Sequence, residues 1–274
     1  MEGKSVAHIS VLWLIIKKRN MRKLLTIIIV FATGLLYAQT DYKTKTWTDS
    51  ILKNKDFEKV NISSLRLKNL DKIVSCENRF ENDPKLFYCG IFGESYKRID
   101  FYLSATFAND SLNLLSVSGF DRLGKNIRPL SGYMRVSDVL KYRETYGDGK
   151  VYLVILDCKL YESGTNDLDG YFTGIYTLVL ISNETGFNWF YSESGDFREF
   201  GNVFIGNWRK YNSNILKSTL FSFRPIGLYS ELPLSAEFYQ HTENEDYVLP
   251  KDKYVSNGWK DYNEELKNKW WMTK

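Results

Sequence analysis

Between residues 98 and 107 the chain reads RIDFYLSATF, and its side chains alternate strictly in polarity. Ile99, Phe101, Leu103, Ala105 and Phe107 fall on one side, and Arg98, Asp100, Tyr102, Ser104 and Thr106 on the other. A period of two belongs to an extended strand with one buried and one wetter face, and a helix of 3.6 residues per turn cannot satisfy it. The stretch DSLNLLSVSGF follows a turn near Ala108-Asn109-Asp110 and reads as its antiparallel partner. VYLVILDCKLY and YFTGIYTLVLI are partly apolar on both faces, as central strands are. Gly147-Asp148-Gly149 precedes the first and Asp169-Gly170 leads into the second. FNWFYSE, VFIGNWRKY and LKSTLFSF continue the series. Short strands punctuated in this way predict a mainly β fold, an antiparallel meander forming a barrel or sandwich with peripheral helices. Helix is expected over Thr46–Phe57, in VSDVLKYRE, and at the C-terminal end in GWKDYNEELKNKWW, where Trp259, Tyr262, Leu266 and Trp270 share a helical side.

Ahead of the strands lies MRKLLTIIIVFATGLLYAQT, residues 21–40. Its uncharged run, Leu24 to Ala38, is short of the roughly 20 residues that a membrane-crossing helix needs. Arg22 and Lys23 form a basic start, and Ala38 closes the run with a small residue, which is the pattern of a secretory signal. Residues 1–38 are therefore expected to be an extension plus signal peptide with its start at Met21, and residues 39–274 a single β-rich domain. The chain carries 37 Lys and Arg against 33 Asp and Glu, and six of those basic groups and one acid lie in residues 1–38. Without them the formal charge of +4 becomes −1. No bulk positive field is left to attract phosphate, so nucleic acid is not an expected partner. A membrane would be met only through an uncleaved leader.

Export would place Cys76, Cys89 and Cys158 in an oxidising compartment. Asn82-Asp83-Pro84 lies midway between the first two, and a hairpin centred there would set Cys76 opposite Cys89 for a disulfide. Cys158 alternates with Tyr152, Val154, Leu156 and Leu160 and reads as a core thiol.

The chemistry on offer is narrow. His241 is the one histidine beyond the leader, which excludes the multi-histidine zinc patterns. No nucleophile elbow, phosphate loop or dinucleotide fingerprint occurs. Aligning Gly170 to the glycine of a calcium loop puts Thr165 and Tyr176 at the terminal ligand positions, where acids are required, so neither a metal nor any other cofactor is expected. Glu193, Asp196 and Glu199 cluster in YSESGDFREFG, and Glu193 with Glu199 is the one candidate carboxylate pair for glycan hydrolysis. Aromatic residues make up 16% of the chain, enough to fill a core and still line a groove for a glycan or a small apolar ligand. Trp189, Phe204 and Trp208 are the candidates for that lining.

Phe204, Gly206, Trp208 and Tyr211 form an F-x-G-x-W-x-x-Y segment that resembles one in a group of uncharacterised secreted bacterial proteins, with similarity extending from about Phe101 to Trp259. That resemblance implies bacterial origin and export to the periplasm, the outer surface or the medium, and it carries no activity. Gly206-x-Trp208 is also similar to the G-x-W of lipocalins, although there the motif opens the domain. Phe204, Gly206 and Trp208 should share one strand face, with the glycine making room for a ring. The expected function is a non-catalytic binding or envelope-associated β module. A secreted glycan hydrolase and a surface adhesin or toxin-like interaction protein stand as alternatives.

Overall fold

The fold is taken from a computed structural model, which describes residues 44–65, 67–78, 87–108, 113–147, 149–164, 169–183, 186–190, 202–223, 237–241, 248–260 and 269–272. All of them belong to one compact unit, Thr44–Lys274.

A helix over residues 44–52 (α1) opens the unit. The remaining elements are β1 Phe57–Lys59, α2 Leu70–Val74, β2 Tyr88–Phe92, β3 Lys97–Phe107, β4 Leu114–Leu123, β5 Asn126–Tyr146, β6 Gly149–Glu162 and β7 Gly170–Asn183. They continue with β8 Gly186–Trp189, β9 Val203–Lys210, β10 Leu216–Ser222, β11 Tyr239–His241, β12 Val248–Pro250 and α3 Asp252–Tyr254. Consecutive long strands pair antiparallel from β2 to β7, then through β9 to β10. β10 pairs back onto β2, which closes the ring. The result is an up-and-down barrel, with β1 and β8 attached to β5 and β7. Closure removes the exposed edges that an open sheet of this length would present.

Alternation sorts the side chains into two cores. The inner faces carry Tyr88, Phe101, Leu103, Met134, Leu156, Phe172, Tyr176, Phe204 and Phe221. Phe101 on β3 meets Phe172 on β7 at 5.0 Å, directly across the ring, so the lumen is packed. Phe221 stacks on Phe204 at 4.4 Å and leans on Phe101 at 4.3 Å. Buried hydroxyls in this core are satisfied: Tyr176 Oη donates to Tyr88 Oη at 3.3 Å, and Tyr88 Oη donates to the carbonyl of Val74 at 2.7 Å. The second core lies outside the barrel wall. Cys89, Ile91, Leu153, Ile155, Val203, Ile205 and Leu220 point outward there and are covered by Trp47 and Ile51 of α1, Phe238 and Trp259.

The β-rich reading and the helix at the head of the domain agree with this architecture. VSDVLKYRE does not form a helix; it lies inside the 21-residue β5, whose neighbour β6 offers an unbroken ladder apart from two bulges. Pairing partners override a weak helical pattern. The C-terminal helical region appears as α3, a π turn Val255–Trp259 and a 3-10 turn Trp270–Met272, and Tyr262 and Leu266 lie outside the described residues. His241 falls in β11 and not in a loop.

The expected Cys76–Cys89 disulfide is not formed, and both residues are buried thiols. The reason is topological. β2 begins only at Tyr88, opposite Phe101, which leaves the amides of Leu103 and Ala105 on that β3 edge to be satisfied by the turn after α2. The Leu103 amide donates to Cys76 Sγ at 3.2 Å and the Ala105 amide to Ser75 Oγ at 2.8 Å. Cys76 thus belongs to the inner core and Cys89 to the outer one. Cys158 sits in the lumen as expected, and burial pushes its thiol well above the usual range. With no reductant present, a maleimide probe should label no cysteine of the native protein and all three after denaturation. A mass gain of one label only would restore the disulfide.

Candidate functional site

Two constellations of charge are built by the β3–β4–β5 meander, one inside the wall and one outside it. In SGFDRLGKNIRPLSGY the β4–β5 turn is centred on Gly124-Lys125, and ladder pairing sets Asp121 opposite Arg128 and Arg122 opposite Ile127. Asp121 shares the inward face of Phe101, and Arg122 shares the outward face of Asp100.

The inner group is sealed. Arg128 Nε donates to Asp121 Oδ1 at 2.9 Å, and its Nη2 lies 3.0 Å from Glu162 Oε1. Glu162 Oε2 accepts the Gly170 amide at 2.5 Å. Both carboxylates have fully buried side chains. Burial pushes the Asp121 carboxyl well above its ordinary range; Arg128 opposes the shift, and Glu162 adds to it by its charge and by a hydrogen bond. Two neighbouring carboxyls resemble an acid–base pair, but a substrate has no route to fully buried oxygens. The group is a polar plug that completes one end of the lumen.

The outer group borders a cleft of about 620 Å³ lined by Lys97, Arg98, Asp100, Arg122, Leu123, Gly124, Asn126, Ser256, Asn257 and Gly258. Asp100 divides its oxygens between two guanidiniums: Oδ1 accepts from Arg98 Nε at 2.9 Å, and Oδ2 accepts from Arg122 Nε at 3.1 Å and Nη2 at 2.7 Å. Arg98 and Asp100 are 5% and 2% exposed, so this pair is fixed before any ligand arrives. The far wall is the turn at 255–259. Asn257 Nδ2 donates to the carbonyl of Ser95 at 2.6 Å, and Trp259 Nε1 donates to that of Tyr96 at 2.7 Å, which staples the turn to the β2–β3 hairpin. Gly258 takes a positive φ of 98°, a conformation that suits glycine at the point where Arg98 packs beneath it. Arg122 lies 5.1 Å from the centre of the Trp270 ring, in cation–π range. Chemically the cleft offers forked hydrogen-bond donors and amide groups, and the one carboxylate among its described lining residues is committed to both arginines.

Those residues picked out from sequence that the structure describes, Trp189, Phe204 and Trp208, lie elsewhere. Phe204 is fully buried beneath Phe221, and Trp208 meets Phe92 edge-on at 5.6 Å. These two share the inward face with Gly206, as expected, and a Cβ on Gly206 would stand 2.7 Å from the Phe204 ring. Trp189 is half-buried on β8, with its ring 6.0 Å from that of Phe223. All three pack against the inner core. Glu193, Asp196 and Glu199 lie outside the described residues. Sequence reading passed over Asp121, Arg128, Glu162 and the Arg98–Asp100–Arg122 triad. A legible signal existed: Asp121 and Arg128 are equidistant from Gly124-Lys125, so a hairpin centred there pairs them.

Neither a family model, nor a curated protein, nor a solved structure matches this chain.

The buried carboxyl has a stability consequence. A folded-state pKa raised above the unfolded value means that the native state holds a proton which the unfolded chain releases. Its contribution is complete below the unfolded value and is lost as pH rises through the folded one. Asp121→Asn removes that titration. The variant should therefore gain on the wild type by up to about 1.4 kcal/mol per pH unit above the ordinary carboxylate range. Paired urea unfolding at pH 5 and pH 7 measures this, and a stability gap that is constant or widens with pH would refute the protonated plug.

Proposed function

We propose that this chain is an exported, non-catalytic binding module whose ligand is taken on the outside of the barrel, in the cleft bordered by Arg98, Asp100 and Arg122. The observation that carries this reading is the position of that cleft over a lumen packed with aromatic rings. A barrel that stores a ligand inside keeps space there, whereas this one spends its interior on rings and on the Asp121–Arg128–Glu162 plug. Pre-formed pockets of several hundred Å³ with a few fixed polar groups are the usual form of a small-molecule site. The side chains facing the cleft supply hydrogen bonds and charge, and its carboxylate is held by two arginines and so is poorly placed to act as a base.

Delivery outside the cytosol is part of the proposal and is supported by the leader sequence over residues 21–38. Away from the plug the inner face is apolar, and Asp100, Arg122, Asp157 and Lys159 set charge on the outer face beside its covered apolar patch, unlike the continuous outer apolar band of a barrel that faces lipid.

Titration of labelled protein with a panel of mono- and disaccharides, organic acids and phosphorylated sugars, followed by amide chemical shifts, tests the reading. The expected result is a set of perturbations centred on residues 97–98, 122–126 and 256–258, with every ligand recovered chemically unchanged. Perturbations confined to lumen residues such as Tyr176 and Phe204, or turnover of a ligand, would contradict it.

A further inference from the structure

The reading above leaves the class of ligand open, and the following inference rests on it. We infer that the cleft selects a small polar molecule carrying an oxyanion, a phosphate, sulfate or carboxylate group, set against Arg98, Arg122 and Lys97.

Among the described residues the lining contains three cations, Lys97, Arg98 and Arg122, against one carboxylate, Asp100. This excess of two positive charges is local, because the chain beyond its leader is close to neutral. The β2–β3 and β4–β5 turns add one charge of each sign, Glu94 and Lys125, and Lys260 after the far-wall turn adds a further positive charge. Asp100 does not cancel the site; it orients it. By holding Arg98 Nε and Arg122 Nε and Nη2, it fixes the planes of both guanidiniums on one side of the β3–β4 ladder. Trp270 supports the face of the second guanidinium. Arginine is suited to oxyanions because its donors form a rigid planar fork that matches two oxygens of a carboxylate or phosphate. Pre-orientation lowers the ordering cost that a flexible side chain would bear on binding.

Lys97 completes the arrangement at the rim. It is exposed and has no ion-pair partner among the described residues, so its ammonium is available to a ligand. Asn126 and Ser256 add to the lining neutral groups that donate and accept hydrogen bonds. Leu123 is the one aliphatic side chain of the lining. A cleft of about 620 Å³ with this lining exceeds what a bare ion fills and suits a hydroxylated body with an anionic end.

The test uses isothermal calorimetry and amide shifts on the exported chain at low ionic strength, with inorganic phosphate, sulfate, acetate, glucose 6-phosphate and glucose as probes. The variants are Lys97→Glu and Asn126→Asp, both at exposed positions, with Lys53→Glu on the surface near α1 as a control that matches the net-charge change of Lys97→Glu and exceeds that of Asn126→Asp. Glucose 6-phosphate should bind at least ten-fold more tightly than glucose, with shifts at residues 97–98 and 122–126. Lys97→Glu and Asn126→Asp should each weaken it five- to ten-fold, and Lys53→Glu by less than two-fold. Which of phosphate, sulfate and acetate binds best identifies the oxyanion. Equal binding of glucose and glucose 6-phosphate at the cleft would overturn the inference while leaving the binding-module reading in place. Equal weakening by Lys97→Glu and Lys53→Glu would overturn it as a general field effect. Failure of every charged and neutral probe to perturb the cleft would remove both.

Discussion

The pairing of β2 with β10 is the contact on which everything else depends. It joins residues more than a hundred positions apart and turns a long twisted meander into a closed wall. Gly90 makes the approach possible. A Cβ at that position would stand 2.1 Å from the Leu220 carbonyl oxygen and 2.6 Å from Phe221 Cβ, so only a residue without one lets the strands meet while the Phe221 ring swings into the lumen. Once the seam is shut, the inward rings have no choice of neighbour. Phe221 reaches Tyr88, Phe101 and Phe204 from a single strand.

A filled lumen has a functional cost and a functional benefit. It removes the interior as a storage space for a ligand, and it gives the wall a rigid backing. The cleft outside β3 and β4 inherits that rigidity, since Asp100 and Arg122 project outward from the same strands whose inner faces hold Phe101 and Leu103. The two charge groups are consequently divided by a single layer of backbone. One is shut away from water as a plug, and the other borders the open cleft. Side-chain parity alone decides which is which, because Asp121 and Arg122 are neighbours in sequence and point to opposite sides.

The strands could be read from the sequence because period-two alternation is a local property: RIDFYLSATF announces its own two faces without reference to any partner. The inward row of Phe204, Gly206 and Trp208 was legible for the same reason. What could not be read was non-local. VSDVLKYRE has a helical rhythm in isolation, and pairing with β6 and β1 makes it strand. Cys76 and Cys89 looked like partners across a turn, yet the late start of β2 left bare backbone on β3, and the thiol of Cys76 is drawn to the Leu103 amide instead. The cleft escaped notice because it joins β3 and β4 to a turn some 160 residues further along the chain, where the backbone carbonyl of Gly258 accepts from Arg98. No spacing rule anticipates a contact of that span. The tryptophans Trp189 and Trp208 drew attention as candidate ligand walls because aromatic residues serve cores and sites equally, and composition cannot divide them.

Amide hydrogen exchange across the β2–β10 seam tests the closed, ring-filled barrel most directly. The account predicts that the amides of Ile91 and Leu220 are protected to the same degree as those of Tyr102 and Leu156, which pair with Phe120 and Tyr176 in mid-wall, and that all four are released only by global unfolding. Exchange at Ile91 and Leu220 through a separate, lower-energy opening while the β3–β6 ladder stays protected would show that the wall is not closed. The packed lumen, and with it the case for a site on the outside, would then fall.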